Sequence, residues 1–397
     1  MTNFIPFALH DIGEDDINEV VDTLRSSWIT TGPKTQLFEK NFAEYIGTKY
    51  AVAVNSATAG LHLGLEAIGL KAGDKVITTP YTFAATAEVI RYFNADPIFI
   101  DIRESNLNID VDKITRFCNE ECHMKEGMLY HNDTSSRVKA IMPVHIAGLP
   151  CEMDSLTDVA KRHNLKIIED AAHALPSNYK GKKIGSISDI TVFSFYATKT
   201  ITTAEGGMVV TNDPAIYDRI KVMRFHGIDR NAWDRYGSKI PKWYYEIIDA
   251  GFKYNMTDVA ASLGIQQLKK VDIFYEKRRR IASIYDKELK SIDGIELPVF
   301  DSNDKSHSWH LYIIRLDQKK FNRNVFIEKL YEKGIGASVH FIPLHIHPYY
   351  RDKYGFKPED FPVSYDCYKK VVSIPIYTKL NDSEIDKIIS SIRDLSQ

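Results

Sequence analysis

Ile190-Thr191-Val192-Phe193-Ser194-Phe195-Tyr196-Ala197-Thr198-Lys199 decides the reading of this chain. Its first half is an apolar, β-branched run of the kind that forms a buried strand. Its second half ends on a lysine, followed by the mostly small and polar stretch Thr200 to Gly207. Upstream, Lys166-Ile167-Ile168-Glu169-Asp170 has the same form and runs into Ala171-Ala172-His173. Ligands of parallel sheets gather at the carboxyl ends of strands, so an acid at one strand end and a lysine beyond the next define one site. Successive side chains of a strand face opposite ways, so Glu169 is expected to point away from Asp170.

Working outward, further candidate strands are Ala51 to Val54, Val76 to Thr79, Pro97 to Asp101, Val138 to Val144 and Met208 to Thr211, with Lys166 to Glu169 and Asp189 to Ser194 at the centre. Helical patterns lie between the early ones, such as Leu61, Leu65 and Ile68 on one helical face. Alternating strands and helices predict an α/β fold with a mostly parallel sheet covered on both faces. Asn119 to Arg137 is polar and aperiodic and reads as an excursion. Trp233 to Tyr245 reads as a long connection that covers a site or a subunit contact. Thr257 to Leu268 reads as a helix capped by Thr257, and helical character continues from Val271 to Ser291. The remainder reads as strand (His310 to Leu316), helix (Asn324 to Lys333), strand (Ala337 to Phe341) and closing helix (Ser383 to Leu395), a compact α+β unit. With 397 residues, a large domain over 1–270 and a smaller one over 271–397 is the expected division.

Bulk properties exclude several function classes. The formal net charge is -2 and the sequence pI about 6.7, so no global basic field attracts nucleic acid or anionic membrane. The basic run Lys277-Arg278-Arg279-Arg280 reads as a solvated helix face. Hydrophobic residues make up 44% of the chain, yet no apolar run approaches membrane-spanning length. With no signal-like N-terminus, a cytoplasmic protein is expected. Cys118, Cys122, Cys151 and Cys367 are too scattered for a disulfide scaffold. Cys118, Cys122, His123 and His131 match no firm zinc spacing, and no metal is expected.

The chemistry that suits Lys199 and Asp170 is that of pyridoxal 5'-phosphate (PLP). That cofactor needs a lysine to hold its aldehyde and a carboxylate to keep its ring nitrogen protonated. A surface lysine and a helix-capping aspartate are the bland alternatives; the neighbouring motifs favour the cofactor. His173 would meet the ring's phenolic oxygen. Ala57 and Thr58, in Ser56-Ala57-Thr58-Ala59-Gly60, open a helix after a strand and would offer N–H groups to the phosphate. Ser194 would add a hydroxyl, and Phe83, after Pro80, would stack on the ring.

Together these segments resemble the DegT/DnrJ/EryC1/StrS sugar-nucleotide aminotransferases, PLP enzymes of fold type I. The resemblance covers nearly the whole chain and rests also on Trp28 to Lys34, Pro143 to Gly148, Ala204-Glu205-Gly206-Gly207 and Gly251 to Asp258. Within the family it lies nearest the branch that makes UDP-4-amino-4-deoxy-L-arabinose. It implies that Lys199 holds the cofactor and then moves the proton between substrate and cofactor carbons. It implies a homodimer with shared active sites, in which Lys253 and Asn255 reach the cofactor phosphate of the partner chain. Trp28, Thr30, Thr31 and His340 fall where the family handles its nucleotide-sugar substrate. L-Glutamate would be the amino donor. Lys199 argues against the branch that removes a sugar hydroxyl, which has histidine there. The absence of a Gly-x-Asn-Ser-Arg segment at Gly251 to Asn255 favours amination at sugar C4. Amination at C3, a non-catalytic regulator on the same fold and a PLP lyase are the rival readings. Thr200 (often Asn), Phe83 (a Trp in the arabinose branch) and the long 119–137 segment depart from the family pattern.

Overall fold

The computed structural model describes residues 4–229, 244–298 and 303–396. The expected connection from Trp233 to Tyr245 lies almost wholly outside the described residues. The main sheet takes β1 (Tyr50–Val54), β2 (Lys75–Thr78), β3 (Asp96–Phe99), β4 (Cys122–Lys125), β5 (Met128–His131), β6 (Arg137–Ile141), β7 (Lys166–Asp170), β10 (Ile190–Ser194) and β11 (Gly207–Thr211). Short β8 (Asn178–Tyr179) and β9 (Lys182–Lys183) lie between β7 and β10 in sequence. The order β1-β11-β10-β7-β6-β2-β3 runs parallel from β10 to β3. Only β11 is reversed among these seven, pairing antiparallel with both β1 and β10. The carboxyl ends of β1, β2, β6, β7 and β10 therefore share one edge.

Period-two patterning explains why both faces are covered. Ala51, Ala53, Ile77, Ile141, Ile167 and Phe193 face one core cluster, shared with Phe38 and Phe42 of α2 (Pro33–Ile46), which follows α1 (Glu14–Arg25), and with Leu156 of the Met153–His163 helix. Val52, Val54, Val76, Ile168 and Val192 face the other, with Leu61, Leu63 and Leu65 of α3 (Ala57–Ala67). Each fully buried side chain of this size contributes roughly 1.5–3 kcal/mol, which fixes register, since a one-residue slip would exchange the faces.

Asn119 to Arg137 is not aperiodic. β4 and β5 form a hairpin turning through Glu126 and Gly127, both with positive φ (52° and 73°), as a two-residue turn requires. It pairs with the first residues of β6, at the end of the sheet away from the shared carboxyl edge.

Thr257 caps the long helix Asp258–Leu289, its hydroxyl accepting the Ala260 N–H (3.2 Å). The helix runs unbroken across position 270. Up to Phe274 it packs in the first cluster, and from Ile281 it packs with the C-terminal α+β unit. That unit holds an antiparallel sheet of β12 (Ile295–Glu296), β14 (Tyr312–Leu316) and β15 (Val371–Ile374), with helices Arg323–Glu332 and Asp382–Leu395. Here one expectation is corrected. Ala337 to Phe341 is not a strand: only Ser338 bridges, to Ser373, and the third strand is Val371–Ile374. β13 (Lys305–Ser306) pairs with β8 and stitches the C-terminal part to the large sheet. The N-terminus joins the same unit, with Ile5 pairing with Ile335.

Candidate active site

A cavity of about 540 Å³ opens on the shared carboxyl edge. Ser56, Ala57 and Thr58 enter it from the end of β1, Phe83 after β2, Asp170 and His173 after β7, and Ser194 and Lys199 after β10. His310, His340 and Phe341 of the C-terminal part, with Phe7, form the facing wall.

Lys199 is brought back toward the strand ends by a turn in which its N–H donates to the Tyr196 carbonyl (2.9 Å). The loop beyond is pinned by Phe195, whose N–H donates to Gly206 O (2.9 Å) and whose carbonyl accepts the Thr203 N–H (3.0 Å). Desolvation lowers the Lys199 pKa to about 8, with the Asp170 carboxylate pulling the other way. An amine so placed is a free base far more often than a surface lysine.

Asp170 is buried, and its carboxylate is already oriented. Thr86 Oγ1 donates to Oδ2 (2.8 Å) and the Ala172 N–H to Oδ1 (3.1 Å), while Thr82 and Thr86 share a hydroxyl contact (2.8 Å). Glu169 faces the other way, as strand alternation requires, and binds Thr191 Oγ1 (2.7 Å) and His145 Nε2 (2.7 Å). The Cys151 N–H donates to His145 Nδ1 (3.1 Å), so the proton lies on Nε2 and points at Glu169. The two acids are thus separated by the backbone: one held in the core, the other at the cavity.

The α3 N-terminus is built for an anion. Ser56 Oγ accepts the Ala59 N–H (3.1 Å), leaving the first-turn N–H groups of Ala57 and Thr58 at the cavity wall. A Cβ on Gly207 would lie 2.8 Å from Ala57 N and from Ser56 O, so β11 can approach this turn only as glycine. Phe83 is 66% exposed, a large ring face turned to the cavity rather than the core. His173 and His340 are stripped of charge by burial first, with Lys199 as a further positive neighbour.

Five expected residues do not line this cavity. Thr31 Oγ1 bonds the Met256 carbonyl and accepts from Asn255 Nδ2 (2.6 Å); Trp28 Nε1 donates to Thr31 O (3.1 Å); Thr30 O accepts the Asp258 N–H (3.2 Å). Lys253 is exposed, its ammonium 4.4 Å from the centre of the Phe225 ring. Trp28, Thr31 and Asn255 thus group with one another, while Thr30 bonds Asp258 and Lys253 lies against Phe225. Of the thiol and imidazole set near 118–131, Cys118 and Cys122 are buried, His123 Nδ1 meets Asn132 (2.8 Å) and His131 stacks on Phe117. Thr86, His310 and Phe341 were not legible as site residues. Thr86 and Thr82 recur at helical spacing after Pro80, a weak signal; His310 and Phe341 arrive from the distant C-terminal part.

The profile of the DegT/DnrJ/EryC1/StrS aminotransferase family matches residues 10–393. The chain belongs to this family. Among curated relatives, it is 50% identical over 395 residues to the uncharacterized protein MJ1066 of Methanocaldococcus jannaschii (99% of this chain, 98% of that one). It is 44% identical over 396 residues to the spore coat polysaccharide biosynthesis protein SpsC of Bacillus subtilis (99% and 97%). Among solved structures, the PMP form of Spr1654 of Streptococcus pneumoniae, assigned as a sugar aminotransferase, superposes with a TM-score of 0.89 at 34% identity, covering 99% of both chains. The same protein has been solved in a PLP form, with a TM-score of 0.87.

As a DegT/DnrJ/EryC1/StrS aminotransferase the chain is PLP-dependent, with the fold of type I PLP enzymes. Its residues fit the group. An oriented buried carboxylate, a desolvated amine, an anion-ready helix start crowded by a required glycine and an exposed aromatic face all meet in one cavity. The cofactor supplies an electron sink for charge that develops on a substrate carbon.

Proposed function

We propose that this aminotransferase converts a nucleotide-linked 4-keto sugar to its 4-amino form, with L-glutamate as donor. The observation that carries the reading is the convergence of Lys199 and Asp170 on the cavity that the α3 N-terminus enters. Lys199 would hold the cofactor, and its amine would then carry the proton between the substrate and cofactor carbons; its lowered pKa suits both tasks. Asp170, oriented by Thr86, keeps the proton on the ring nitrogen. The Ala57 and Thr58 N–H groups and the Ser194 hydroxyl hold the phosphate, Phe83 covers the ring face and His173 meets the phenolic oxygen. In a first half-reaction glutamate would leave its amino group with the cofactor, take its new keto oxygen from water and depart as 2-oxoglutarate; in a second, that amino group would replace the sugar's ketone oxygen, which leaves as water. Sugar as substrate is supported by the likeness to SpsC and Spr1654. C4 is supported by the Gly251 to Asn255 segment.

The enzyme works as a cytoplasmic homodimer. Lys253, Asn255, Trp28, Thr30 and Thr31 serve the partner's cavity, with Thr31 bonded to Asn255, whereas His340 serves its own. The cofactor-binding part spans 1–270 and the smaller α+β part 271–397, apart from Ile5, which packs on the smaller part, and Val271 and Phe274, which pack in the larger. Product NMR after incubation with glutamate and a panel of UDP-, dTDP- and GDP-linked keto sugars tests the reaction. An amine at C4 is expected; one at C3 overturns the regiochemistry. Mixing Lys199→Ala with Asn255→Ala protein tests the shared site: hybrids should regain activity, and inert mixtures count against it.

A further inference from the structure

His173 enters the cavity from the end of β7. Its buried Nδ1 has no hydrogen-bond partner among the described residues. The hydrogen bond made here belongs to its backbone carbonyl, which accepts Ser308 Oγ (2.6 Å). The ring instead lies against two rings of the C-terminal part. Phe341 stacks on it at 5.9 Å with the planes 14° apart, and His310 contacts it at 4.4 Å with a 37° tilt.

Both of those rings are fixed from behind. Phe341 packs edge-on against Tyr81, whose hydroxyl donates to the His340 carbonyl (2.8 Å). His310 sits in a segment clamped at several points. The buried Arg278 guanidinium donates to the carbonyls of Trp309 (3.1 Å), His310 (3.3 Å) and Ile376 (2.7 Å). Trp309 is held at a φ of 55°, a conformation that bulky residues adopt only when their surroundings impose it. The Ser308 N–H meets Gly148 O (3.2 Å) and Ser177 Oγ (3.1 Å), and the Leu311 N–H meets Ala147 O (3.3 Å). A Cβ on Gly148 would fall 1.7 Å from Ser308 Oγ, so this approach tolerates no side chain there. Among the described residues the His310 Nδ1 has no hydrogen-bond partner, and its ring contacts that of His173.

We propose that His310 and Phe341 are positioning residues that orient the His173 imidazole by ring contact, so that docking of the C-terminal part sets the contact His173 makes with the cofactor. This rests on the reading that His173 faces the phenolic oxygen. The groups facing the pair are Lys199 and His340, both within its electrostatic reach, together with His307 at His173 and Arg278 at His310. No proton transfer by His310 is required.

The test uses PLP-loaded enzyme and reads the pH midpoint of the cofactor's absorbance band, alongside kcat and KM for glutamate. His310→Ala and Phe341→Ala should move the midpoint by about half a pH unit or more and lower kcat about tenfold with KM little changed. His310→Phe and Phe341→Tyr, which keep a ring, should stay near wild type. Should either alanine variant fail to fold, His310→Asn and Phe341→Leu carry the same prediction, since they fill space without a ring. Ringless variants with wild-type midpoint and kcat would overturn the proposal, as would ring-retaining variants damaged as much as the alanine ones. Wild-type enzyme that shows no absorbance response to glutamate would instead sink the functional reading beneath it.

Discussion

At the scale of single residues, Lys199 and Asp170 work against each other: burial strips the lysine of its proton, and the carboxylate holds the proton on. With a folded pKa near 8, below the ordinary lysine value of 10.5, the free amine of apo protein accumulates as pH rises through about 8. The rate at which PLP loads onto apo protein should climb through that range and level off above it, followed by absorbance; a flat profile would contradict the assignment. The same sign governs stability. Between pH 8 and 10.5 the unfolded chain binds the additional proton, so this residue's contribution to stability rises with pH there. Lys199→Met should therefore raise the apo-protein Tm at pH 7, with the gain fading above pH 8. Asp170→Asn removes the opposing charge, so the loading profile should shift to lower pH, while turnover falls by about a hundredfold or more. A loading midpoint that rose in Asp170→Asn would reverse the electrostatic account.

At the scale of elements, the N-terminus of α3 carries the phosphate argument. Gly207→Ala forces β11 away from the Ser56–Ala57 turn and should weaken PLP binding about tenfold, measured by cofactor titration. Ser56→Ala removes the cap and should cost about 1 kcal/mol of stability in urea unfolding. If Gly207→Ala bound PLP as tightly as wild type, the turn would not be the phosphate site. The strands feeding the site were legible because they are buried on both faces and read as apolar, β-branched runs: Ile167-Ile168, Ile190 to Phe193, Val209-Val210. The hairpin was not. It lies at an edge where, in β4 and β5, only Cys122 and Leu129 are buried, so no alternation marked it; Glu126-Gly127 was the one turn signal. Ala337 to Phe341 failed for the opposite reason: a β-rich stretch whose backbone finds a partner at a single residue, Ser338. The true third strand, Val371-Val372-Ser373-Ile374, is a short run with three β-branched residues ahead of Pro375.

At the scale of the molecule, the site exists because two parts of the chain meet at the strand ends. Asp170, Lys199, Phe83 and the α3 start were readable from local motifs, since each follows a strand. His310 and Phe341 were not, because their placement depends on how the C-terminal part docks. Arg278 illustrates the point: read as part of a solvated basic run, it is buried and donates to three carbonyls in the docked segment. Arg278→Met should cost about 3 kcal/mol in urea unfolding by leaving buried carbonyls unpaired, whereas its neighbour Arg279, paired with exposed Glu276, should tolerate the same change within about 0.5 kcal/mol. Equal losses at both positions would show that the docked segment is not held from behind. The most direct measurement for the whole account is reductive trapping: PLP-loaded protein treated with borohydride, digested and mapped by mass spectrometry. The account predicts the cofactor mass on the peptide that contains Lys199 and its loss in Lys199→Ala. Cofactor fixed on any other lysine, or none fixed while Lys199 is intact, would contradict it.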